Sequence, residues 1–469
     1  MATGRRRHDG PGLAGAAVSP SAALPATAVV APLAPADEAM LDSLQRDAFD
    51  YFVHHTNRHN GLVADTSRPG SHASIAVVGF ALSAYPVGVE RGWMTRADAL
   101  RRSLSALRFF RDSDQSGTPE STGYKGFYFH FLHMDSGARA WRCEVSLIDT
   151  ALLLAGMLTA AAYFSAATAD EAELRSLADT LYHRADWGWA QPDGAAVVHG
   201  WKPGSGFLKH GWEGYSEALL LYALGLGSPT HPLTAASFPA WTSTYQWENL
   251  YGIDHLFAGP LFIHQLSHAW IDFRGIRDRF MREKRCDYFE NSRRATYVQR
   301  EYAIHNPRRF AGYDESCWGL SAGDGPRTPR QRVAGRRQSF YGYAARGVPW
   351  GPDDGTISGP SVLSSLVFAP EIVLPAVRRM LAREPGRAGR TARASGFNDT
   401  VRLTAPAAGA GPARWISEGS FGLDQGMIVL MLENFRSGLL WRLLRASVPI
   451  RKGLHRAGFR GGWLADDKQ

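Results

Sequence analysis

The chain of 469 residues has few cysteines and lacks long apolar runs. Its three cysteines, Cys143, Cys286 and Cys317, form no CxxC pair, which argues against a disulfide framework or a cysteine metal cage. Each lies among apolar or aromatic residues, so we expect buried free thiols. No stretch of about 18 residues is continuously apolar, and the sequence therefore predicts no membrane span.

The signatures of several enzyme and binding classes are also missing. There is no βαβ alternation, no Gly-rich phosphate loop and no HExxH motif. His264 and His268 lie four residues apart, but without an obvious third ligand this pair indicates helix packing or sugar contact more than zinc. The net charge of +8 comes largely from scattered Arg clusters, and no nucleic-acid-binding motif accompanies them. We expect no metal, no organic cofactor and no nucleic-acid partner.

The first 37 residues differ in composition from the rest of the chain. Arg5, Arg6 and Arg7 precede a stretch rich in Ala, Pro and Val, which fits either a disordered leader or a degraded export signal. Both a periplasmic or exported location and a cytoplasmic one stay open, and so does the oligomeric state. We expect residues 38–460 to form a single domain and residues 461–469 to be a tail.

The chain is rich in predicted helices, and these are of two kinds. Apolar helices are predicted at residues 74–85, 144–164, 216–226, 262–270, 361–366 and 426–444. Amphipathic helices are predicted between them, at residues 37–57, 95–111, 170–185, 287–306 and 370–383. An all-round apolar helix is covered on every side, whereas an amphipathic one faces water. The alternation predicts an all-α fold with two concentric layers, a toroid of helical hairpins with long loops at one end.

Those loops are rich in aromatic and acidic side chains, which suits a carbohydrate site. Tryptophan in a loop is either a core anchor or a flat face that stacks on a sugar ring. The aromatic candidates for substrate binding are Trp212, Tyr215, Trp247 and Trp318. Cleavage of a glycosidic bond requires two carboxyl groups, one on each side of the bond. The loop and helix-start acids are Glu144, Asp149, Glu213, Glu217, Asp254, Asp324, Asp353, Asp354 and Asp424.

Two of these acids, Glu217 and Asp424, share a sequence context. With Ser216 as the expected N-cap, Glu217 falls in the first turn of an apolar helix, and Asp424 directly precedes another. A helix-start acid is stabilised by backbone N–H groups and the helix dipole. An acid at the mouth of an aromatic pocket instead has a raised pKa and can protonate a leaving group. The residues alone leave both interpretations open.

Several longer motifs occur in one order between about residues 40 and 460. They include Glu144-Val-Ser-Leu-Ile-Asp149, Trp212-x-x-Tyr215-Ser-Glu217, Cys317-Trp-Gly-Leu-Ser-Ala-Gly-Asp324, Asp353-Asp-Gly-Thr-Ile, Phe368-Ala-Pro-Glu371, Gly422-Leu-Asp424-Gln-Gly and Glu433-Asn-Phe-Arg-Ser-Gly. With these motifs the chain resembles the bacterial glucoamylase-like family. That group contains the glycoside hydrolase family 144 endo-β-1,2-glucanases and the related module of cyclic β-1,2-glucan synthases.

The resemblance implies an (α/α)6 barrel and an inverting hydrolase of β-1,2-glucan, with an oligo- or polysaccharide as its partner. It implies Glu217 as general acid and Asp424 as general base. Glu144, Asp149 and Asp324 would then bind sugar or support the acids. The sequence departs from the family pattern at Ser-Ala-Gly-Asp324 and in an Arg/Gly-rich insertion at residues 384–395. A transglycosylase, a hydrolase of sophorose or another glucan, and a non-catalytic glycan-binding protein are the alternatives.

Overall fold

The described part of the chain comprises residues 32–310, 312–327, 331–333, 336–382, 401–402 and 415–465 of a computed structural model. Most of the predicted leader and the whole Arg/Gly-rich insertion at residues 384–395 lie outside these ranges. The described residues are mainly helical. This confirms the predicted predominance of helices, although short strands are also present.

The helices occur in the following order along the chain. They are α1 (Pro35–His54), α2 (Ile75–Glu90), α3 (Arg96–Asp112), α4 (Leu147–Tyr163), α5 (Ala169–Arg184), α6 (Leu219–Gly227), α7 (Ser237–Thr242), α8 (Arg279–Glu283), α9 (Tyr288–His305), α10 (Gly359–Ser364), α11 (Pro370–Ala382), α12 (Gly422–Arg436), α13 (Leu439–Arg445) and α14 (Val448–Arg456). Three short 3₁₀ helices are Leu261–His264, Leu266–Ala269 and Gly462–Leu464.

An inner ring is formed by the apolar helices. Helix α2 packs between α4 and α12, α4 also contacts α6, and α10 contacts α12. The 3₁₀ helices at residues 261–269 lie between α6 and α10, and the Leu220 N–H donates to Ser267 Oγ across 3.1 Å. In α2 every residue from Ile75 to Gly88 is buried, as expected for a helix that is apolar on all sides. These elements therefore form a closed ring.

The amphipathic helices surround this ring and each covers an inner element. Helix α1 packs on α12, α3 on α2, α5 on α4, α14 on α6, α9 on Leu261–His264 and α11 on α10. Several start with the side-chain caps expected of exposed helices. Thr95 Oγ1 accepts from the Asp98 N–H at 3.1 Å and caps the start of α3. Two layers of helices result, as the alternation of apolar and amphipathic stretches predicted.

Short antiparallel strands connect the helices. In chain order they are β1 (Ala73–Ser74), β2 (Gly123–Tyr124), β3 (Phe127–Phe129), β4 (Phe131–Leu132), β5 (Val145–Ser146), β6 (Gly200–Lys202), β7 (Gly206–Phe207), β8 (Trp247–Leu250), β9 (Ile253–Leu256), β10 (Ala322–Gly323), β11 (Gln331–Val333), β12 (Arg336–Gln338), β13 (Ala344–Ala345), β14 (Thr356–Ile357), β15 (Val401–Arg402) and β16 (Trp415–Ile416). The largest sheet has the order β2-β3-β5-β6-β7. Strands β1 and β5 lead directly into α2 and α4, so the sheets hold the starts of inner helices.

Three predicted helix boundaries are wrong. Helix α6 begins at Leu219 with Ala218 as its N-cap, so Ser216 caps nothing and Glu217 lies in the turn before the helix. Asp424 lies within the first turn of α12 and does not precede it. The stretch predicted at residues 426–444 is two helices, because Gly438 adopts a φ of 67° between α12 and α13. Among the described residues, no helix is both long and apolar enough to cross a membrane.

Candidate active site

Five carboxyl groups gather where inner helices begin. Asp65 precedes α2, Glu144 and Asp149 flank β5 at the start of α4, Glu217 precedes α6, and Asp424 lies in the first turn of α12. Electrostatic interactions connect Asp149 with Glu217 and Asp65, and Asp65 with Asp424. The five acids, which we call the acid cluster, thus share one end of the helical ring.

Glu217 is held at this end by its backbone. Ser267 Oγ donates to the Glu217 carbonyl oxygen across 2.7 Å, which ties the turn to the 3₁₀ helices beside α6. Burial raises the pKa of the Glu217 carboxyl to about 7, and the negative charge of Asp149 adds to the shift. At neutral pH a large fraction of Glu217 therefore carries a proton that it can donate.

Asp424 has a second acid as its neighbour. The Gly422 N–H donates to the Asp65 carbonyl oxygen across 2.8 Å, so the loop before α2 is fastened to the first residue of α12. Burial and the charge of Asp65 raise the pKa of Asp424 to about 7. Burial likewise raises the pKa of Asp65 to about 6. Close like charges in a partly dry site oppose full ionisation of both groups.

His130 lies between two members of the acid cluster. Its Nδ1 is 3.1 Å from Glu144 Oε1 and its Nε2 is 3.4 Å from Asp149 Oδ2. Burial alone would lower the pKa of His130, but Asp149 and Glu144 raise it to about 9. The hydrogen bond with His130 lowers the pKa of Glu144 to about 2, against the effect of burial. An imidazolium therefore bridges two carboxylates at neutral pH.

Arg68 and Tyr343 border the acid cluster on the side of α12. The Arg68 guanidinium pairs with Asp324 and lies 5.4 Å from the ring centre of Phe421. The Tyr343 ring is 5.9 Å from the same ring. Tyr343 is 58% exposed, but desolvation of its hydroxyl and the charges of Asp424 and the other acids raise its pKa. A neutral phenol beside these carboxyls can donate a hydrogen bond to them or to a sugar.

The structure brings some of the predicted acids together and separates others. Glu144, Asp149, Glu217 and Asp424 belong to the acid cluster, and Asp324 is connected to it through Arg68. Asp353 accepts from the hydroxyls of Tyr302 and Tyr313 at 2.7 and 2.8 Å. The remaining acids also lie outside the acid cluster: Asp354 pairs with Arg346, Asp254 accepts from Asn249, and Glu213 is exposed.

The predicted aromatic contacts lie mostly within the protein core. Trp318 is 1% exposed, and Tyr215 is packed against Tyr245 and Tyr288. Trp247 lies beneath Lys284, whose Nζ is 5.2 Å from the ring centre. Trp212 packs on His199 at 4.3 Å, and His199 in turn interacts electrostatically with Glu144. Trp212 is thus connected to the acid cluster through His199.

The histidine pair and the cysteines are structural. His264 Nε2 is 3.0 Å from the Ala258 carbonyl oxygen, and His268 Nε2 is 3.0 Å from Ser292 Oγ. Burial lowers the pKa of each imidazole to about 3, so both are neutral packing residues. All three cysteines are buried free thiols, as predicted. A search of the described ranges finds no group of three or more His, Cys, Asp and Glu residues arranged to hold a metal ion.

Sequence reasoning missed Asp65, His130 and Tyr343. Asp65 and Arg68 stand in a polar loop that the sequence marks only as a connection between two helices. His130 is enclosed in the aromatic run Phe-Tyr-Phe-His130-Phe, where an imidazole flanked by large apolar residues signals a special environment. Tyr343 gives no signal because it lies in a long loop without periodicity.

Residues 209–448 match the model of the family described as "Putative glucoamylase", which is just over half of the chain. The chain belongs to this glucoamylase-like family. The match includes Glu217 and Asp424, while Asp65, His130, Glu144 and Asp149 lie N-terminal to it.

Individual members of the family resemble the chain over most of its length. A putative glucoamylase from Bacteroides uniformis superimposes with a TM-score of 0.80 at 29% identity, covering 92% of this chain and 100% of that one. An endo-β-1,2-glucanase from Chitinophaga pinensis, solved with sophorotriose and glucose, gives a TM-score of 0.76 at 25% identity, with 92% and 100% coverage.

A curated relative from Parabacteroides distasonis is named as an exo β-1,2-glucooligosaccharide sophorohydrolase acting at the non-reducing end. It is 25% identical over 457 residues, which cover 90% of this chain and 58% of the relative. The chain therefore spans little more than half the length of that protein.

Proposed function

We propose that this protein is a glycoside hydrolase that cleaves β-1,2-linked glucan by an inverting acid/base mechanism. The observation that carries the proposal is the pair Glu217 and Asp424. They lie at the starts of two inner helices within one acid cluster, each with a pKa raised to about 7. The names of the relatives from Chitinophaga pinensis and Parabacteroides distasonis support the choice of β-1,2-glucan as substrate.

Glu217 is the general acid in this proposal. Its proton passes to the glycosidic oxygen while the bond from that oxygen to the anomeric carbon breaks. A carboxyl group with a pKa of about 7 holds the proton at neutral pH, and the proton leaves when charge develops on the leaving oxygen. Burial is the main cause of this raised pKa, and the nearby negative charge of Asp149 adds to it.

Asp424 is the general base in this proposal. It removes a proton from a water molecule, and the water oxygen attacks the anomeric carbon from the face opposite to the leaving group. A β-linked sugar then becomes an α-anomer with a free hydroxyl. Asp65 raises the basicity of the Asp424 carboxylate through its own negative charge, which makes proton removal from water more favourable.

We further propose that the two layers of helices form an (α/α)6 barrel and that residues 38–460 are one catalytic domain. The closed inner ring of α2, α4, α6, residues 261–269, α10 and α12 supports this architecture, and so does the outer element packed on each of its members. In such a barrel the loops before the inner helices meet at one end. The acid cluster is built from those loops and from the first turns of the helices that follow them.

The test is incubation with linear β-1,2-glucan, with the products followed by NMR from the first minutes. We expect short oligosaccharides that appear first as the α-anomer and then mutarotate. Products that appear first as the β-anomer would contradict inversion, and relinked chains would indicate transglycosylation. Binding without any cleavage would support a glycan-binding protein instead.

A second candidate is an exo-acting enzyme that releases sophorose from the non-reducing end. The specific observation is the likeness to the Parabacteroides distasonis sophorohydrolase over 90% of this chain. The same reaction distinguishes the two, because an exo enzyme releases only the disaccharide at early times. An endo enzyme instead produces a range of chain lengths. A substrate blocked at its non-reducing end would be cleaved by an endo enzyme but not by an exo enzyme.

A further inference from the structure

Trp141 has an exposed indole ring close to the acid cluster, and the function described so far does not use it. The residue is 63% exposed, whereas Trp187, Trp241, Trp270, Trp318 and Trp441 are all fully buried. It stands three positions before Glu144 in the loop between β4 and β5. A flat, exposed indole ring beside a polar site is a surface on which a sugar ring can stack.

Two neighbouring aromatic rings support the indole ring of Trp141. It meets the His72 ring at 4.4 Å and an interplanar angle of 71°, and the Phe131 ring at 4.9 Å and 61°. Both contacts are edge-on, a preferred arrangement for aromatic pairs. The ring of Trp141 is therefore held in place while most of its surface faces solvent.

The backbone of this turn is strained and fastened at both ends. Trp141 and Arg142 both have a φ of 51°, a left-handed conformation that non-glycine residues rarely adopt. The Ala140 N–H donates to the Phe131 carbonyl oxygen at 2.9 Å, and the Cys143 N–H donates to the Ala140 carbonyl oxygen at 3.1 Å. Strain of this kind persists where surrounding contacts impose it, and it is concentrated at ligand-binding sites.

The two supporting rings also connect Trp141 to the acid cluster. The His72 carbonyl oxygen accepts from the Asp65 N–H at 2.8 Å, and Phe131 directly follows His130, with the two rings stacked at 3.9 Å. Trp141 and the acid cluster are therefore connected through the same two segments of chain.

We infer that the indole ring of Trp141 is a stacking platform for a glucose ring of the bound glucan, outside the position at which the bond is cleaved. The inference rests on the proposed function, because it takes β-1,2-glucan as the occupant. The apolar face of a pyranose ring matches a flat aromatic surface, while its hydroxyls remain in water. A platform that is rigid before binding loses little conformational entropy when the sugar arrives.

The experiment compares wild type with Trp141→Gly and Trp141→Phe on long β-1,2-glucan and on a β-1,2-linked tetrasaccharide. Glycine removes the ring and adopts the positive φ without strain, so we expect the melting temperature to be kept. We expect Trp141→Gly to lose about fivefold to tenfold in kcat/KM on the long glucan and less than about twofold on the tetrasaccharide. Trp141→Phe keeps a smaller ring and should fall between Trp141→Gly and wild type.

Two results would overturn the platform while leaving the proposed function intact. One is a Trp141→Gly enzyme that matches wild type on the long glucan. The other is an equal loss on both substrates, which indicates a structural role for the ring. A wild-type enzyme that cleaves no β-1,2-glucan would instead refute the proposed function. In that case the platform is tested by electrophoresis through gels containing β-1,2-glucan. Retardation of the wild type that is lost in Trp141→Gly would support the platform. A wild type that is not retarded would overturn it.

Discussion

Helix α12 carries two acids, one near each end, and their surroundings are opposite. Asp424 in the first turn has another acid, Asp65, as its electrostatic neighbour, and its pKa is raised to about 7. Glu433 near the last turn is 2% exposed and fully engaged with donors. It accepts from Arg91 Nε at 2.8 Å, from Ser437 Oγ at 2.6 Å and from Gln45 Nε2 at 3.2 Å.

The difference shows that burial alone does not decide the role of an acid, because the partners that surround it separate a chemical role from a structural one. A carboxylate that accepts hydrogen bonds from a guanidinium, a hydroxyl and an amide fastens neighbouring elements together. A carboxylate beside another carboxylate holds or takes up a proton near neutral pH, which costs stability and is useful for proton transfer. One helix thus contributes to the site with one end and to the architecture with the other.

The largest expected effect is that of Glu217→Gln. Because Gln cannot donate a proton to the leaving oxygen, we expect kcat on β-1,2-glucan to fall by about a thousandfold. The melting temperature should not fall, since the substitution removes a group whose ionisation is opposed by burial. Steady-state kinetics and thermal unfolding of the same preparation measure both. Wild-type turnover in this variant would remove Glu217 from the mechanism.

Asp424→Asn should reduce kcat by about a hundredfold. Another water molecule or a neighbouring carboxylate then has to remove the proton from the attacking water, and each is a less effective base at this position. The variant should fold as wild type does. A loss of folding with the specific activity of the folded fraction intact would favour the alternative that Asp424 only stabilises the start of α12. Circular dichroism together with active-site titration distinguishes these outcomes.

Glu433→Gln tests the other end of the same helix and is the matched control for Asp424→Asn. We expect kcat to stay within about twofold of wild type, while the free energy of unfolding falls by about 2–4 kcal/mol. The loss arises because Arg91 keeps its charge but no longer faces a carboxylate. Chemical denaturation and kinetics measure the two quantities. If kcat fell as far as in Asp424→Asn, the contrast between the two ends would be refuted.

His130→Gln should lower stability in a pH-dependent way. His130 has its pKa raised from 6.5 to about 9, so its contribution is complete below about pH 6.5 and disappears as the pH rises through 9. Glu144 has its pKa lowered from 4.5 to about 2, so its contribution is complete above about pH 4.5 and disappears as the pH falls through 2. The difference in unfolding free energy, about 1–3 kcal/mol, should therefore be largest between these limits. A pH-independent difference would show that the ring acts by packing alone.

Asp65→Asn should produce the smallest change, a shift of the pH–rate profile. In wild type we expect a bell centred near pH 7, because Glu217 must be protonated and Asp424 ionised, each with a pKa of about 7. Removing the charge of Asp65 lowers the pKa of Asp424, so the acidic limb of kcat/KM should move down by about one pH unit. The position of that limb is the readout, independent of any loss in maximal rate. An unmoved limb would mean that Asp65 does not influence the base.

The sequence alone determined the helical layers and marked Glu217 and Asp424 as candidate acids. A helix such as α2, apolar on every side, has to be covered on every side, and an amphipathic one such as α3 has to face water. This reasoning depends on periodicity, which the chain carries in its residues. Glu217 and Asp424 were marked as candidates because a charged residue beside an apolar run is conspicuous without any knowledge of distant contacts, and the resemblance to the glucoamylase-like family implied their roles.

The tertiary structure decided which loop residues lie at the candidate site. Trp318 and Trp141 both lie in connecting segments, yet one ring is buried and the other is exposed on two aromatic neighbours. His130 acquires its charge only because Glu144 and Asp149 fold against it. A loop has no repeating pattern from which burial or partners follow. Its side chains are placed by contacts between segments far apart in the chain, and those contacts exist only in the folded protein.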